Sequence, residues 1–285
     1  MLGVPVTQLS MFGPSDDGPA PKPATDDKVT LRVLITVKAA PNPSERHGET
    51  VCVAGISADP AKPGWVRLYP VNFRDLGSED RFRKYDIVTL DAKPARQDQR
   101  RESWKPLLTT IVAESHLRPW NPRRAWVEPY IEDSMCRLNR DARASANAQS
   151  LALVRPLTVD GLDVEAHPGW TRAEQSKIDA YVSQLDLFGT QDRTPLEAPR
   201  FRAAYRYHCH ERGCGGHRQG CIDWELVAFQ RRLRQLSDAE LVTAIRDKFL
   251  GELCGPARDV AYFVGNQAKR THVFSVLGVW WPPRR

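Results

Sequence analysis

An α+β fold is predicted for this 285-residue chain, with a small β-barrel in the first half and a mixed α/β unit in the second. Three observations predict it. Short β-branched runs separated by Pro, Gly and Asn crowd residues 30 to 95. Helical periodicities with recognisable caps occur only later in the chain. Between a late strand pattern and a late helix pattern stands a dense run of cysteine and histidine. The length suits two packed cores, since domains commonly run to about 100–150 residues. A composition of 41% hydrophobic and 27% charged residues is that of a folded globular chain.

Residues 1–29 are rich in Pro, Gly, Ser and Asp without a period, and are read as a flexible leader in which no site is expected. Four strands follow in "TLRVLITVKAA", "ETVCVAGISA", "GWVRLYPV" and "KYDIVTLDAK". Their apolar–polar alternation fits half-buried strands that curve into a barrel over residues 30–115. Residues 116–195 read as a mixed connector. It holds a helix around Ile131–Arg143, a strand in "LALVRPLTV", and a helix that carries Ile178, Tyr181, Val182 and Leu185 and ends at Gly189.

The last unit, residues 196–285, opens with a strand in "RFRAAYRYHC". Leu226, Phe229, Leu233 and Leu236 then share one helix face. Ser237 and Glu240 form a capping box for a second helix whose Leu241, Ile245 and Phe249 recur every four residues. "DVAYFVGN" and "HVFSVLGVWW" close the chain as two strands paired through "QAKRT".

The longest apolar stretch, "VFSVLGVWW", falls far short of the roughly 20 residues a spanning helix needs, so no membrane partner is expected. The N-terminus lacks the layout of a secretory signal, which predicts a reducing, cytoplasmic setting. Six cysteines then read as metal ligands and buried thiols, not as a disulfide framework.

"HCHERGCGGHRQGCIDWE", residues 208–225, concentrates that chemistry. Cys209, Cys214, His217 and Cys221 have the spacing C-x4-C-x2-H-x3-C, as compact as a zinc knuckle although in a different order. Interleaved glycines allow the backbone to curl around an ion. His208 and His210 could also serve as ligands. Thiolates and imidazoles in a tight turn predict a bound Zn²⁺, and a closed four-ligand site predicts a structural role. The competing reading is an exposed His-rich loop beside buried thiols. Asp223 stands where a helix begins and fits a cap, with Trp224 packed in the core. Asp223 and Glu225 together are the alternative catalytic pair, able to hold Mg²⁺ for phosphodiester hydrolysis.

Net charge is +6, with 31 Arg against 10 Lys, and two windows concentrate it. Residues 81–105 are +4 and residues 200–234 are +5, with Phe82, Tyr85, Trp104, Tyr205 and Tyr207 interleaved. Arginines that neutralise phosphate and rings that stack on bases are the ingredients of a nucleic-acid surface. The expected contacts are Arg81, Arg83, Arg100 and Arg101 on the barrel and Arg202, Arg206, Arg231, Arg232 and Arg234 on the second unit. The competing reading is a solvated charged face. The zinc deaminase, P-loop, dinucleotide, zincin and nucleophile-elbow patterns are absent, which removes support for those enzyme classes.

Taken in series, "VLITVKAAPNPSERHGETVCVAGI", "GWVRLYPVNFRDL", "RFRKYD", "RRESWKP", "CHERGCGGHRQGCIDWE" and "AYFVGN" through "FSVLGVWWPP" resemble an uncharacterised bacterial family. Its first part is similar to dual OB-like β-barrel proteins. The resemblance implies an OB-like barrel and a C-x4-C-x2-H metal motif followed by "DWE", matched here by Cys209, Cys214, His217, Asp223, Trp224 and Glu225. Cys221 lies outside that pattern, which leaves Cys254 or His272 as further candidates for the fourth ligand. The resemblance also suggests an accessory gene linked to mobile DNA or defence. The sequence thus predicts a zinc-stabilised nucleic-acid-binding protein, DNA before RNA. A Mg²⁺-dependent nuclease and a module that binds a protein partner are the alternatives.

Overall fold

A computed structural model describes residues 21–73, 82–183 and 194–285. The predicted α+β architecture is present. Strands β1 (Val29–Lys38), β3 (Gly48–Ser57), β4 (Trp65–Val71), β5 (Asp86–Pro94) and β6 (Ser103–Pro106) form a barrel, and the short β2 (Asn42–Ser44) pairs with β3. The order β1-β3-β4-β6-β5 closes because β1 also pairs with β5. Only the β4–β6 contact in this ring is parallel. Counted along the chain, the five barrel strands run 1-2-3-5-4 with the third and fifth parallel, the OB-like arrangement. β7 (Val112–His116) adds to the outside of β5.

Five consecutive residues of β1, Val33 to Val37, are buried. Two faces explain this run. Val33 and Ile35 fill the barrel with Val51, Val53, Leu68 and Val88. Leu34 and Val37 pack outward against Phe263, Leu277 and Trp280 of the second unit. The two units therefore share a core.

That second unit is a seven-stranded sheet with helices. It comprises α1 (Asn121–Val127), β8 (Ile131–Glu132), α2 (Met135–Ala144), β9 (Leu151–Val154), β10 (Pro156–Ala166) and α3 (Arg172–Ser183). β11 (Phe201–Cys209), β12 (His217–Cys221), α4 (Trp224–Arg232), α5 (Asp238–Arg246), β13 (Ala261–Gln267) and β14 (Arg270–Trp280) complete it. The sheet order is β10-β11-β12-β14-β13-β9-β8.

Part of the segment expected as a connector belongs to this sheet. "LALVRPLTV" is two strands, not one: β9 pairs with β13 while β10 pairs with β11, on opposite sides of the sheet. The expected helix end at Gly189 lies outside the described residues, as do most of the leader and Arg81. Ser237 and Glu240 make both bonds of the capping box. The last two strands pair in antiparallel register, as the short connection through "QAKRT" predicts. No helix among the described residues is long and apolar enough to cross a membrane.

Candidate metal centre and charged surfaces

Three chain segments converge on one cage. β11 ends at Cys209 and β12 begins at His217, with Tyr207 and His217 in register. The intervening turn carries Cys214, whose amide donates to the Glu211 carbonyl at 3.0 Å. Gly213 and Gly216 both have positive φ, and a Cβ on Gly216 would meet the His208 ring at 3.2 Å. The third segment is the start of α2. Ser134 caps it by accepting from the Arg137 amide, and Cys136 follows two residues later. Glu211 clamps this helix to the turn, accepting from Ser134 Oγ and from the Arg140 guanidinium.

Cys136, Cys209, Cys214 and His217 thus place four ligand atoms within 4.8 Å of one another. Cys136 and Cys209 sulfurs are 3.7 Å apart, and His217 Nε2 lies 3.5, 3.5 and 3.3 Å from the sulfurs of Cys136, Cys209 and Cys214. A tetrahedral ion with bonds of about 2.3 Å to sulfur and about 2.0–2.1 Å to nitrogen has edges of roughly 3.5–3.8 Å. The cage is the size of that coordination shell and far too wide for a disulfide, whose sulfurs stand about 2.05 Å apart. All six cysteines are free. The donor set fits a metal ion, and four protein ligands leave no open position.

Two thiols of the cage are shifted in opposite directions. Burial would raise the Cys209 thiol, but backbone amides of Cys136 and Glu211 and the His217 imidazole outweigh it and hold the group down at about 6. Cys136 is pushed up to about 12 by burial and by the neighbouring sulfurs. An ion in the cage would supply the positive charge that lets all three thiolates coexist.

Three of the four predicted ligands meet here and the fourth does not. Cys221 shares the strand face of His217, but four residues of strand rise carry it roughly 13 Å along the sheet. It sits in the core, where burial raises its thiol to about 12. Cys254 is also elsewhere, its sulfur 3.4 Å from the Phe249 carbonyl. His272 and His210 are outside the group, and His208 pairs with Asp160 at 2.8 Å. Cys136 takes the place assigned to Cys221. A lone cysteine 73 residues upstream of Cys209 offers no spacing signal; only its position just inside a capped helix start marks it.

Asp223 caps α4 as predicted, accepting from the Glu225 amide at 3.0 Å. The proposed carboxylate pair is bridged by a residue the sequence did not flag. Lys84 Nζ lies 3.1 Å from both Asp223 oxygens and 3.2 Å from Glu225 Oε1. Burial would lower the ammonium, yet Asp223 and Glu225 raise it and hold it charged. The position between the carboxylates belongs to that ammonium. Gly278 lets the backbone approach, since a Cβ there would lie 3.3 Å from Lys84 Nζ.

The predicted arginine contacts divide. Arg81 lies outside the described residues. Arg100 does not face solvent: it is buried, paired with Asp98 and donating to the Asn266 carbonyl at 2.7 Å. Arg101 is half-buried, and Arg83 is exposed, 3.9 Å from Asp86. Arg202 and Arg206 point outward from β11 but are matched across the strands by Glu165 at 2.7 Å and Asp163 at 2.9 Å. Arg218 adds two more bonds to the same acids. The charge excess counted along residues 200–234 omits these acids, which antiparallel pairing brings opposite. Arg231, Arg232 and Arg234 are exposed at the end of α4, and the Arg231 guanidinium lies 5.7 Å over the half-buried Trp224 ring.

Both halves of the chain have counterparts among known families. Residues 131–285 match the family described as Domain of unknown function (DUF8757), and residues 29–129 match Domain of unknown function (DUF8758). No curated protein matches the chain.

Proposed function

We propose, for a chain that belongs to the DUF8757 family, a zinc-stabilised protein that binds nucleic acid. Three thiolates and an imidazole at tetrahedral spacing suit zinc better than the hard cations, which take oxygen ligands. The ion serves structure, tying the start of α2 to the β11–β12 turn.

The observation that carries the binding reading is the end of α4. Arg231, Arg232 and Arg234 are exposed there within four residues, with the Trp224 indole beside Arg231, on a unit joined to an OB-like barrel. Guanidinium groups bind phosphate through paired donors, and an aromatic ring accepts a base. DNA ranks before RNA in this proposal, in a bacterial setting tied to mobile DNA or defence.

Fluorescence anisotropy with single-stranded DNA, duplex DNA and RNA tests the proposal. Affinity is expected to fall steeply between about 50 mM and about 200 mM salt. Absence of binding to all three at the lower salt would overturn it.

A further inference from the structure

The residues after β7 and the last residues of the chain form a second candidate site. Pro119, Trp120, Arg124, Pro283, Arg284 and Arg285 line an open pocket of about 370 Å³. That volume falls in the range of small-molecule sites, about 300–1,000 Å³.

Its indole is held in place. Trp120 is half-exposed and meets Trp280 at 5.7 Å and Trp281 at 5.1 Å, both close to perpendicular. Trp280 is fully buried and packs on Tyr85, which anchors the platform to the barrel. A ring braced in this way loses little freedom on binding.

The charges are also set in advance. Arg124 is buried and held by Glu128 and the Pro283 carbonyl. Arg284 Nε donates to the Arg258 carbonyl at 3.1 Å, and Arg285 stands 3.6 Å from Glu128. Glu128 faces Arg124 and Arg285, and Asp259 stands 3.8 Å from Arg124, so the three guanidinium groups exceed the two carboxylates by one positive charge beside an aromatic wall. The Arg123 guanidinium lies 5.6 Å over the Trp120 ring, and an acidic peptide would satisfy the pocket arginines but would add no aromatic partner to the indole. A base carrying a phosphate satisfies both.

We infer that this pocket binds one nucleotide, its base against Trp120 and its phosphate at Arg284 and Arg285. The unit comes either from free mononucleotide or from the phosphorylated end of a strand. None of the lining residues belongs to the arginine cluster of α4, so this site stands apart from the surface proposed above.

Calorimetry on the full chain tests it with AMP, adenosine, inorganic phosphate, and a hexanucleotide with and without a 5′-phosphate. AMP or the phosphorylated strand is expected to bind at least about tenfold more tightly than adenosine or phosphate alone. The exposed double variant Arg284→Glu/Arg285→Glu should remove at least about tenfold of that affinity. Trp120→Leu should do the same, and a melting curve shows whether it still folds. Binding of AMP identifies free nucleotide as a source; binding of only the phosphorylated strand identifies a strand end. No binding of either probe, or affinity unchanged in the charge-reversal variant, overturns the inference. The separation from α4 is read directly: a variant lacking Arg231, Arg232 and Arg234 should lose long-strand binding and keep the AMP signal.

Discussion

Lys84 and Asp223, 139 residues apart, form an ion pair between the barrel and the second unit, with Nζ 3.1 Å from both carboxylate oxygens. Both side chains are nearly buried, 14% and 4% exposed, while Glu225, the second partner, is 56% exposed. The adjoining backbone adds a bond, the Ala40 amide donating to the Ile222 carbonyl at 2.6 Å. The pair fixes the barrel against the start of α4.

Removing one partner leaves a buried charge without its counter-ion. Lys84→Met is expected to destabilise by about 3–5 kcal/mol in urea unfolding, whereas Glu225→Gln costs under about 1 kcal/mol because that carboxylate is solvated. The double variant Lys84→Met/Asp223→Asn should recover part of the loss. Equal costs for Lys84→Met and Glu225→Gln would contradict the assignment.

Metal content separates the two candidate fourth ligands. Cys136→Ser should fall well below one zinc per chain by elemental analysis, and Cys209→Ser should fall with it. Cys221→Ser should keep full stoichiometry and lose only about 1–3 kcal/mol, the cost of a hydroxyl in an apolar core. The opposite ranking would restore Cys221 to the cage.

Chelation should loosen one corner of the molecule rather than the whole. With the ion removed, the melting temperature is expected to drop by roughly 5–10 °C, about 2–4 kcal/mol for a chain of this size. Hydrogen exchange should rise at the start of α2 and in the turn between β11 and β12, with barrel amides unchanged. Uniform loss of protection would show that the cage controls the shared core as well.

Arginines that look alike in sequence should behave differently in binding. Arg202→Ala/Arg206→Ala removes residues already matched by Glu165 and Asp163, so nucleic-acid affinity should change by less than about threefold. Replacing Arg231, Arg232 and Arg234 by Ala should weaken binding strongly and reduce the salt slope by roughly 2–3.

Acid sensitivity should appear at the seam. Burial opposes ionisation of Asp98, but the Arg100 guanidinium outweighs it and holds the carboxyl down at about 2. A carboxyl depressed in the folded state contributes stability above its unfolded value, near pH 3.8, which is lost as pH falls toward about 2. Asp98→Asn should flatten the stability profile in that window, by on the order of 1 kcal/mol after solvent screening. An unchanged slope would remove Asp98 from the acid response.

Local signals determined much of this protein. The apolar runs of β1, β3, β4 and β5, the Ser237–Glu240 box, the Asp223 cap and the final hairpin all follow from residues within a few positions of one another. Cys209, Cys214 and His217 belong with them, because a single turn brings them together. Tertiary structure decided the rest. Cys136 reaches the cage because α2 packs against the turn, Lys84 reaches Asp223 because the barrel docks there, and the acids of β10 reach Arg202 and Arg206 across a strand pair. Short-range periodicity and capping are written along the chain, whereas contacts across 37 to 139 residues are set by how strands and layers pack, and no spacing in the sequence records them.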